Sequence, residues 1–378
     1  MKINIAAAGR FHVADLAREL SENGHEVRFY SYVPTRRLMK FGLKKECSYS
    51  LFFLMLPVLA CLKISKRANW ATKLEWFVLD HLVAWIMKPC DAFIAMSSIY
   101  VYSFEIAKKK YGAITILERG SNHTLDIQEI FTNSPHNGKT SFALNSNYAV
   151  DREIKNYEIV DYISIASEHV KKGFVKRGIS SEKIFVNPYG VNLSMFYPTE
   201  IDDTDVYDVI MVGNWCWRKG CDLIIESSKK LKIKILHVGS ITDVEFPKEV
   251  NFCDIGTVDE TKLIKYYSKA KVLVLPSRED GFGMVLAQAT ACGLPIVCSE
   301  NTGGNMIKSM IGSKDYIFII DKCNSISLQK SIADALILAN TQHGLRNYAP
   351  ELNSLLSWSA YGLRYNDFLQ KLSSRNSH

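Results

Sequence analysis

Short apolar runs alternate with stretches of helical periodicity along this chain, in two successive cycles. "KINIAAA" reads as a strand. "RFHVADLARELSENG" places Phe11, Val13, Leu16 and Leu20 near helical spacing and stops at Gly24, and "HEVRFYSYV" is the next strand. "CDAFIAMSS", "GAITILERGS", "VDYISIAS" and "KIFVNPYG" continue the series, with helical segments such as "EHVKKGFVKRG" between them. A second cycle begins near Asp205: "VYDVIMVGNW", "KIKILHVGS", "KVLVLPS" and "PIVCSEN" are strands, separated by "GCDLIIESSKKL", "DETKLIKYYSKA" and "GMVLAQATACG". Alternation of this kind predicts an α/β fold of two Rossmann-like, doubly wound parallel-sheet domains. The stretch "PYGVNLSMFYPTEID", with Pro188 and Pro198, marks a connector, and the boundary is expected near residues 195–205.

At 378 residues the chain is too long for one ordinary core, which agrees with two domains. The formal net charge of +7 favours anionic partners without choosing among nucleotides, phosphates, nucleic acids and anionic membranes. Nine cysteines are scattered with no CxxC pair, Cys216 and Cys221 being the closest, so they read as reduced intracellular thiols. The start "MKINIAAAGRF" reads as a mature first strand rather than a secretory leader. Residues 51–62, "LFFLMLPVLACL", form an unbroken apolar run containing Pro57, shorter than the ~18–20 residues a spanning helix needs. Arg36, Arg37, Lys40, Lys44 and Lys45 precede it, and Lys63, Lys66 and Arg67 follow. Two readings stand: a buried core segment, or a surface segment that touches anionic lipid.

Three clusters carry chemistry. In "LPSREDGFGMVLAQATACGLP" a central strand delivers Arg278, Glu279 and Asp280 to its carboxyl end, where open α/β sheets bind ligands. Gly281 and Gly283 allow close backbone approach, and the helix that follows offers free N–H groups to a phosphate. An acid beside a phosphate site would repel it, so the acid must meet hydrogen-bond donors such as sugar hydroxyls. Phosphate and sugar side by side describe a sugar nucleotide; the competing reading is an ordinary strand-to-helix turn with capping acids. In "VGNWCWRKGCDLI", Arg218 and Lys219 stand where two cations could neutralise a diphosphate, or form a solvated basic turn. In "ERGSNHTLD", His123 sits with Arg119 and Asn122 at a strand end, as a structural histidine or as a contact for the donor sugar.

These pieces in this order resemble glycosyltransferase family 4, retaining enzymes of the two-domain GT-B fold, over nearly the whole chain. "VGNWCWRKGCDLI" resembles that family's glycine–basic–lysine–glycine loop. "LPSREDGFGMVLAQATACGLPIVCSENTGG" is similar to its signature with two glutamates seven residues apart, and "ERGSNH" to a motif of a bacterial polysaccharide- and lipopolysaccharide-type subgroup. "SWSAYG" resembles the start of a terminal helix that returns to the first domain. The resemblance implies an acceptor-side domain over residues 1–195, a nucleotide-sugar-binding domain over 196–357 and a returning helix over 358–378, with the two domains facing across a cleft.

The resemblance further implies catalytic roles for His123, Arg218, Lys219 and Asp280. Arg218 and Lys219 would hold the donor diphosphate, Asp280 would meet the sugar hydroxyls, and His123 would lie near the reacting carbon. Gln288 would meet the nucleotide ribose and Gly9 the diphosphate. Gly213, Asn214, Thr257, Val258, Glu279, Gly281, Phe282, Gly283 and Met284 would complete the donor site. The implied reaction moves a hexose-type sugar from a UDP- or GDP-sugar to a glycan or lipid-linked acceptor in cell-surface polysaccharide synthesis. It uses no metal and no separate cofactor, and it takes place in the cytoplasm or on the inner face of the membrane, with no nucleic-acid partner. This chain departs from the pattern at Asn214, where an arginine is common, and at Asp280 and Gln288, which replace the signature glutamates. Asn305 and Met306 follow "TGG" where an acid is often seen. Those changes leave open a nucleotide-sugar-binding protein with little or no turnover. A nicotinamide-dependent oxidoreductase is disfavoured, because "AAAGRFHVAD" is not GxGxxG and no acid ends the second strand.

Overall fold

A computed structural model describes residues 1–135, 146–199, 206–311, 315–341 and 352–375. In the first domain the strands are β1 (Lys2–Ala6), β2 (Glu26–Ser31), β3 (Ser48–Ser50), β4 (Ala92–Met96), β5 (Ile114–Glu118), β6 (Tyr162–Ile165) and β7 (Ile184–Val186). Its helices are α1 (Phe11–Glu22), α2 (Thr35–Met39), α3 (Phe52–Ile64), α4 (Asn69–Ile86), α5 (Val101–Tyr111), α6 (Thr124–Thr132), α7 (Asn147–Ile159) and α8 (Glu168–Lys176). The second domain has β8 (Tyr207–Val212), β9 (Ile235–Val238), β10 (Phe252–Asp254), β11 (Ala270–Leu275), β12 (Ile296–Ser299) and β13 (Ile317–Ile320). Between and after these come α9 (Cys221–Leu231), α10 (Leu263–Tyr267), α11 (Met284–Ala291), α12 (Gly304–Met310), α13 (Ser325–Thr341), α14 (Leu352–Leu355) and α15 (Trp358–Arg375).

The sheets run β3-β2-β1-β4-β5-β6-β7 and β10-β9-β8-β11-β12-β13. Every pairing in them is parallel. Parallel strands covered by helices on both faces must be apolar on both, and β11 is buried at every position but Lys271. The strand order reverses between β1 and β4 in one sheet and between β8 and β11 in the other. Those switch points open the crevices in which doubly wound folds take ligands. The loops that leave β1, β8 and β11 hold Gly9, Arg218 with Lys219, and residues 278–283 respectively.

α15 follows the second domain in sequence but packs on α1. A Cβ on Gly362 would stand 2.3 Å from Glu19 Cβ, so only glycine allows the two helices this approach. Tyr365 OH donates to Glu118 Oε1 at 2.7 Å, and Arg364 holds the interdomain crossing through Asn187 Oδ1 at 2.7 Å and the Pro188 carbonyl at 2.8 Å. Residues 200–205 of the expected connector, including Asp203 and Asp205, lie outside the described residues. None of the nine cysteines forms a disulfide.

The apolar run of residues 51–62 corrects the simple buried-core reading. It forms most of α3, and helical spacing turns only one side inward: Leu51, Met55, Val58 and Leu62 are buried. Phe53 is 81% exposed, with Leu54, Leu56 and Ile64 also on the surface. Among the described residues no helix is long and apolar enough to cross a membrane.

Candidate active site at the interdomain cleft

The basic loop after β8 is locked against the end of β11. Gly220 has φ +74°, and a Cβ there would lie 2.3 Å from the Pro276 carbonyl oxygen, so glycine is required twice over. Arg278 donates to both carboxylate oxygens of Asp222 at 2.7 Å and lies 4.1 Å above the Trp217 ring. Its backbone N–H donates to Arg218 O at 2.8 Å. Arg218 and Lys219 are therefore carried on a rigid turn.

Both cations meet the loop before α11. Arg218 Nη1 donates to Glu279 Oε2 at 2.8 Å, and Lys219 forms an ion pair with Asp280. Asp280 Oδ1 accepts the Gly283 N–H at 3.0 Å, so this acid also serves the first turn of α11. Burial pushes the Asp280 carboxyl up, but Lys219 and Arg218 beside it pull it further down, below the usual carboxylate range. For Arg218, burial is outweighed by Glu279 and Asp280, and its pKa is raised. Two charged pairs thus lie at the positive end of a helix, with Gly283 at φ +72° turning the chain into it.

The first domain closes directly on this loop. A Cβ on Gly281 would fall 2.1 Å from the Gly120 carbonyl oxygen. The Asn122 N–H donates to Glu279 Oε1 at 3.2 Å, Ser167 Oγ to Gly281 O at 2.5 Å and His169 Nε2 to Asp280 O at 2.8 Å. Arg119 pairs with buried Glu153 and donates to Asn122 O at 2.9 Å, which fixes the 119–123 turn. His123 is enclosed in that turn. Its Nδ1 accepts the Leu125 N–H at 3.3 Å as the cap of α6, and its ring packs 4.9 Å from Tyr157 and 5.1 Å from Phe174. Burial, outweighing the attraction of Asp126 and helped by Arg119 and Arg177, lowers its pKa to about 4.

Beside these loops a cavity of about 320 Å³ is lined from both domains by Arg10, Phe11, His12, Asp15, Tyr189, Glu260, Met284 and Trp358. Gly9 immediately precedes the Arg10 wall; His123 is not part of the lining. Gln288 is buried at the edge of this space, accepting from Tyr267 OH at 3.0 Å and donating to Glu260 Oε1 at 3.3 Å. Thr257 is exposed and Val258 half-buried in the stretch that leads to Glu260. Asn214 is exposed, its Oδ1 accepting from Ser240 Oγ at 2.8 Å, while Gly213 O accepts from His237 Nε2 at 2.9 Å. The fold therefore gathers Arg218, Lys219, Glu279, Asp280 and residues 281–284 at one point, sets Gln288 with Glu260 nearby, and keeps His123 within the first domain's packing. Sequence reasoning missed Glu260, Arg10, His12 and Tyr189. Arg10 and Tyr189 stand inside quoted stretches, next to Gly9 and in "NPYG"; Glu260 had no motif to announce it.

Two parallel-sheet, Rossmann-like domains facing across a cleft define the GT-B fold. The same fold is found in HepE from Anabaena, solved in complex with UDP-glucose, at a TM-score of 0.61 and 12% identity over 98% of this chain and 100% of that one. Residues 199–352 match the family of glycosyl transferases group 1. The capsular polysaccharide biosynthesis glycosyltransferase CapM of Staphylococcus aureus is 24% identical over 56% of this chain and 62% of its own length. The N,N'-diacetylbacillosaminyl-diphospho-undecaprenol alpha-1,3-N-acetylgalactosaminyltransferase of Campylobacter jejuni is 27% identical over 33% of this chain and 39% of its own. Other curated relatives are matched over 33% to 48% of their length. The fold and the matched domain are those of a glycosyltransferase.

Proposed function

We propose that this chain is a retaining, metal-independent glycosyltransferase of the family 4 type, in its bacterial polysaccharide subgroup. It would move a hexose-type sugar from a UDP- or GDP-sugar to a glycan or lipid-linked acceptor, in the cytoplasm. The observation that carries this reading is the meeting of Arg218 and Lys219 with Glu279 and Asp280 at the N-terminus of α11. A diphosphate leaving group gains negative charge as the glycosidic bond breaks, and fixed cations with a helix terminus stabilise that charge without a metal ion. Asp280, freed from Lys219 as phosphate oxygens take the ammonium, accepts hydrogen bonds from the donor sugar. Gln288 and its neighbour Glu260 line the place for the ribose, with Thr257 and Val258 toward the base. The acceptor hydroxyl attacks from the face the diphosphate leaves, and a diphosphate oxygen takes its proton. UDP-glucose bound by HepE and the diphospho-undecaprenol named in the Campylobacter relative support the donor and acceptor classes.

A thermal-shift screen in chelator, followed by transfer and hydrolysis assays, tests this. UDP or GDP and one of their sugars should raise the melting temperature, NAD should not, and the stabilising donor should be turned over without added metal. Stabilisation by NAD alone overturns the reading; nucleoside diphosphate binding with no turnover of any donor leaves a binding protein in its place.

A further inference from the structure

The outer surface of α4 carries an apolar stripe that the fold does not use. Trp70, Leu74, Phe77, His81 and Trp85 fall within a sector of about 80° at 100° per residue, opposite the buried Trp76, Leu79 and Val83. Trp85 is 79% exposed and Trp70 59%. The tryptophans bound the stripe some ~22 Å apart. Tyr102 of α5 extends it, stacked on His81 at 4.7 Å, and α3, packed against α4, adds Phe53, Leu54 and Ile64. Exposed apolar residues of this size on packed helices mark a binding face.

Charge selects the occupant. Between residues 34 and 90 there are ten Lys and Arg against three acids, so this segment holds the chain's whole formal charge of +7 and the remainder is balanced. All ten basic residues are exposed, and none forms an ion pair with another described residue. Two of the acids are buried and engaged: Glu75 accepts from Tyr32 OH at 2.8 Å, and Asp80 accepts the N–H groups of residues 101–103 and pairs with Arg152. Glu46 is the one exposed acid of the segment. A second copy of the chain would bring like charge against like charge. Tryptophans at both ends of an apolar stripe with basic neighbours instead suit the boundary of an anionic bilayer.

The direction of α4 connects this face to the cleft. α4 leads into β4 at the amino edge of the sheet, so its Asn69 end lies toward the carboxyl edge, which faces the second domain. Lys63, Lys66, Arg67 and Lys73 cluster at that end. We propose that the α3–α4 hairpin docks in the plane of an anionic lipid leaflet and that the acceptor offered to the cleft is borne on a lipid; the second half of this rests on the glycosyltransferase reading, the docking does not.

Vesicle flotation of the full chain without donor tests the docking. Vesicles of phosphatidylglycerol with phosphatidylcholine should bind it, phosphatidylcholine alone should not, and binding should fall at least ~10-fold between 50 and 500 mM NaCl. Tryptophan emission should shift to the blue and be quenched by brominated lipid. Trp70→Ser/Phe77→Ser/Trp85→Ser should abolish flotation with the vesicles, and Lys63→Glu/Lys66→Glu/Arg67→Glu should weaken binding by about 10-fold or more, each with an unchanged nucleoside diphosphate thermal shift. No binding to anionic vesicles at low salt overturns the docking and leaves the glycosyltransferase reading standing. So does a dimer that the stripe variant dissociates while vesicle binding stays unchanged. Vesicle binding with turnover of water-soluble acceptors alone overturns the lipid-borne acceptor, whereas vesicle binding without any donor turnover fails the enzyme reading instead.

Discussion

Arg10 of the first domain reaches across the cleft to Glu260 of the second, its Nη1 3.2 Å from Oε2. The same carboxylate receives Gln288 through its other oxygen, so one acid joins the domain interface to the buried amide at the edge of the cavity. Both side chains are about one third exposed, at 34% and 38%, and solvent screens such a pair. A double-mutant cycle with Arg10→Ala and Glu260→Ala, followed by urea unfolding, should give a coupling of at most about 1 kcal/mol that shrinks with salt. A coupling several times larger would mean that this pair, rather than the 120–123 and 279–283 contacts, holds the domains together.

On the proposed function, Lys219 bears on rate more than on binding. The charge it faces grows as the diphosphate departs, so removing it withdraws stabilisation made in the transition state. Lys219→Ala should lower kcat/KM on the identified donor by ~10²-fold or more. The variant also leaves the Asp280 carboxylate without its ion-pair partner, so Lys219→Arg, which keeps a cation there, should recover part of the loss. Near wild-type turnover in Lys219→Ala would remove the assignment.

On the proposed function, Asp280 and Gln288 divide the donor between them. Gln288→Ala should weaken nucleoside diphosphate binding by about 1–2 kcal/mol, with kcat less affected, because the ribose does not change during transfer. Asp280→Asn keeps an acceptor for the Gly283 N–H but loses the charge that competes with phosphate for Lys219. Its affinity for the free nucleoside diphosphate should hold or rise, while transfer and sugar discrimination fall. Calorimetry with UDP and GDP decides it: a larger loss of affinity in Asp280→Asn than in Gln288→Ala reverses the assignment.

The two sheets were legible because buried parallel strands are short apolar runs and the helices between them keep their period. The gathering of residues 278–283 with Arg218 and Lys219 was legible for the same reason, since both loops leave neighbouring strands at the same edge. The pairing of those cations with the acids was not legible. Nothing in "WCWRKG" says that Arg218 takes Glu279 while Lys219 takes Asp280, because that depends on the tight contact of Gly220 with Pro276. Glu260 was hidden because it acts from a turn between short elements and gains its place only when α11 packs alongside it. The run of residues 51–62 left two readings open because an unbroken apolar string erases the period that would show which face is buried.

His123 offers a test in which fold and function meet. Its pKa is lowered from an ordinary 6.5 to about 4, first by burial and then by Arg119 and Arg177, so the folded protein holds a neutral imidazole at pH 7. The unfolded chain takes up a proton near pH 6.5, and the folded chain resists until about pH 4. Between those values the unfolded state binds more protons, so stability falls as the solution is acidified; the contribution is complete above pH 6.5 and gone below about pH 4. The shift corresponds to roughly 3 kcal/mol across that window. His123→Asn can still cap α6 through its side-chain oxygen but does not titrate. Urea unfolding at pH 7.5 and pH 4.5 should therefore show a stability gap between wild type and variant that narrows toward acid. The Cε1–H resonance of His123 should stay in its neutral position down to about pH 5. A titration near 6.5 would show that the ring is open to water and free to charge. With the shift in place and Nδ1 taken by the Leu125 N–H, any contact His123 makes with a donor sugar is that of a neutral Nε2–H donor, and on the proposed function the positive charge for the leaving group comes from Arg218 and Lys219.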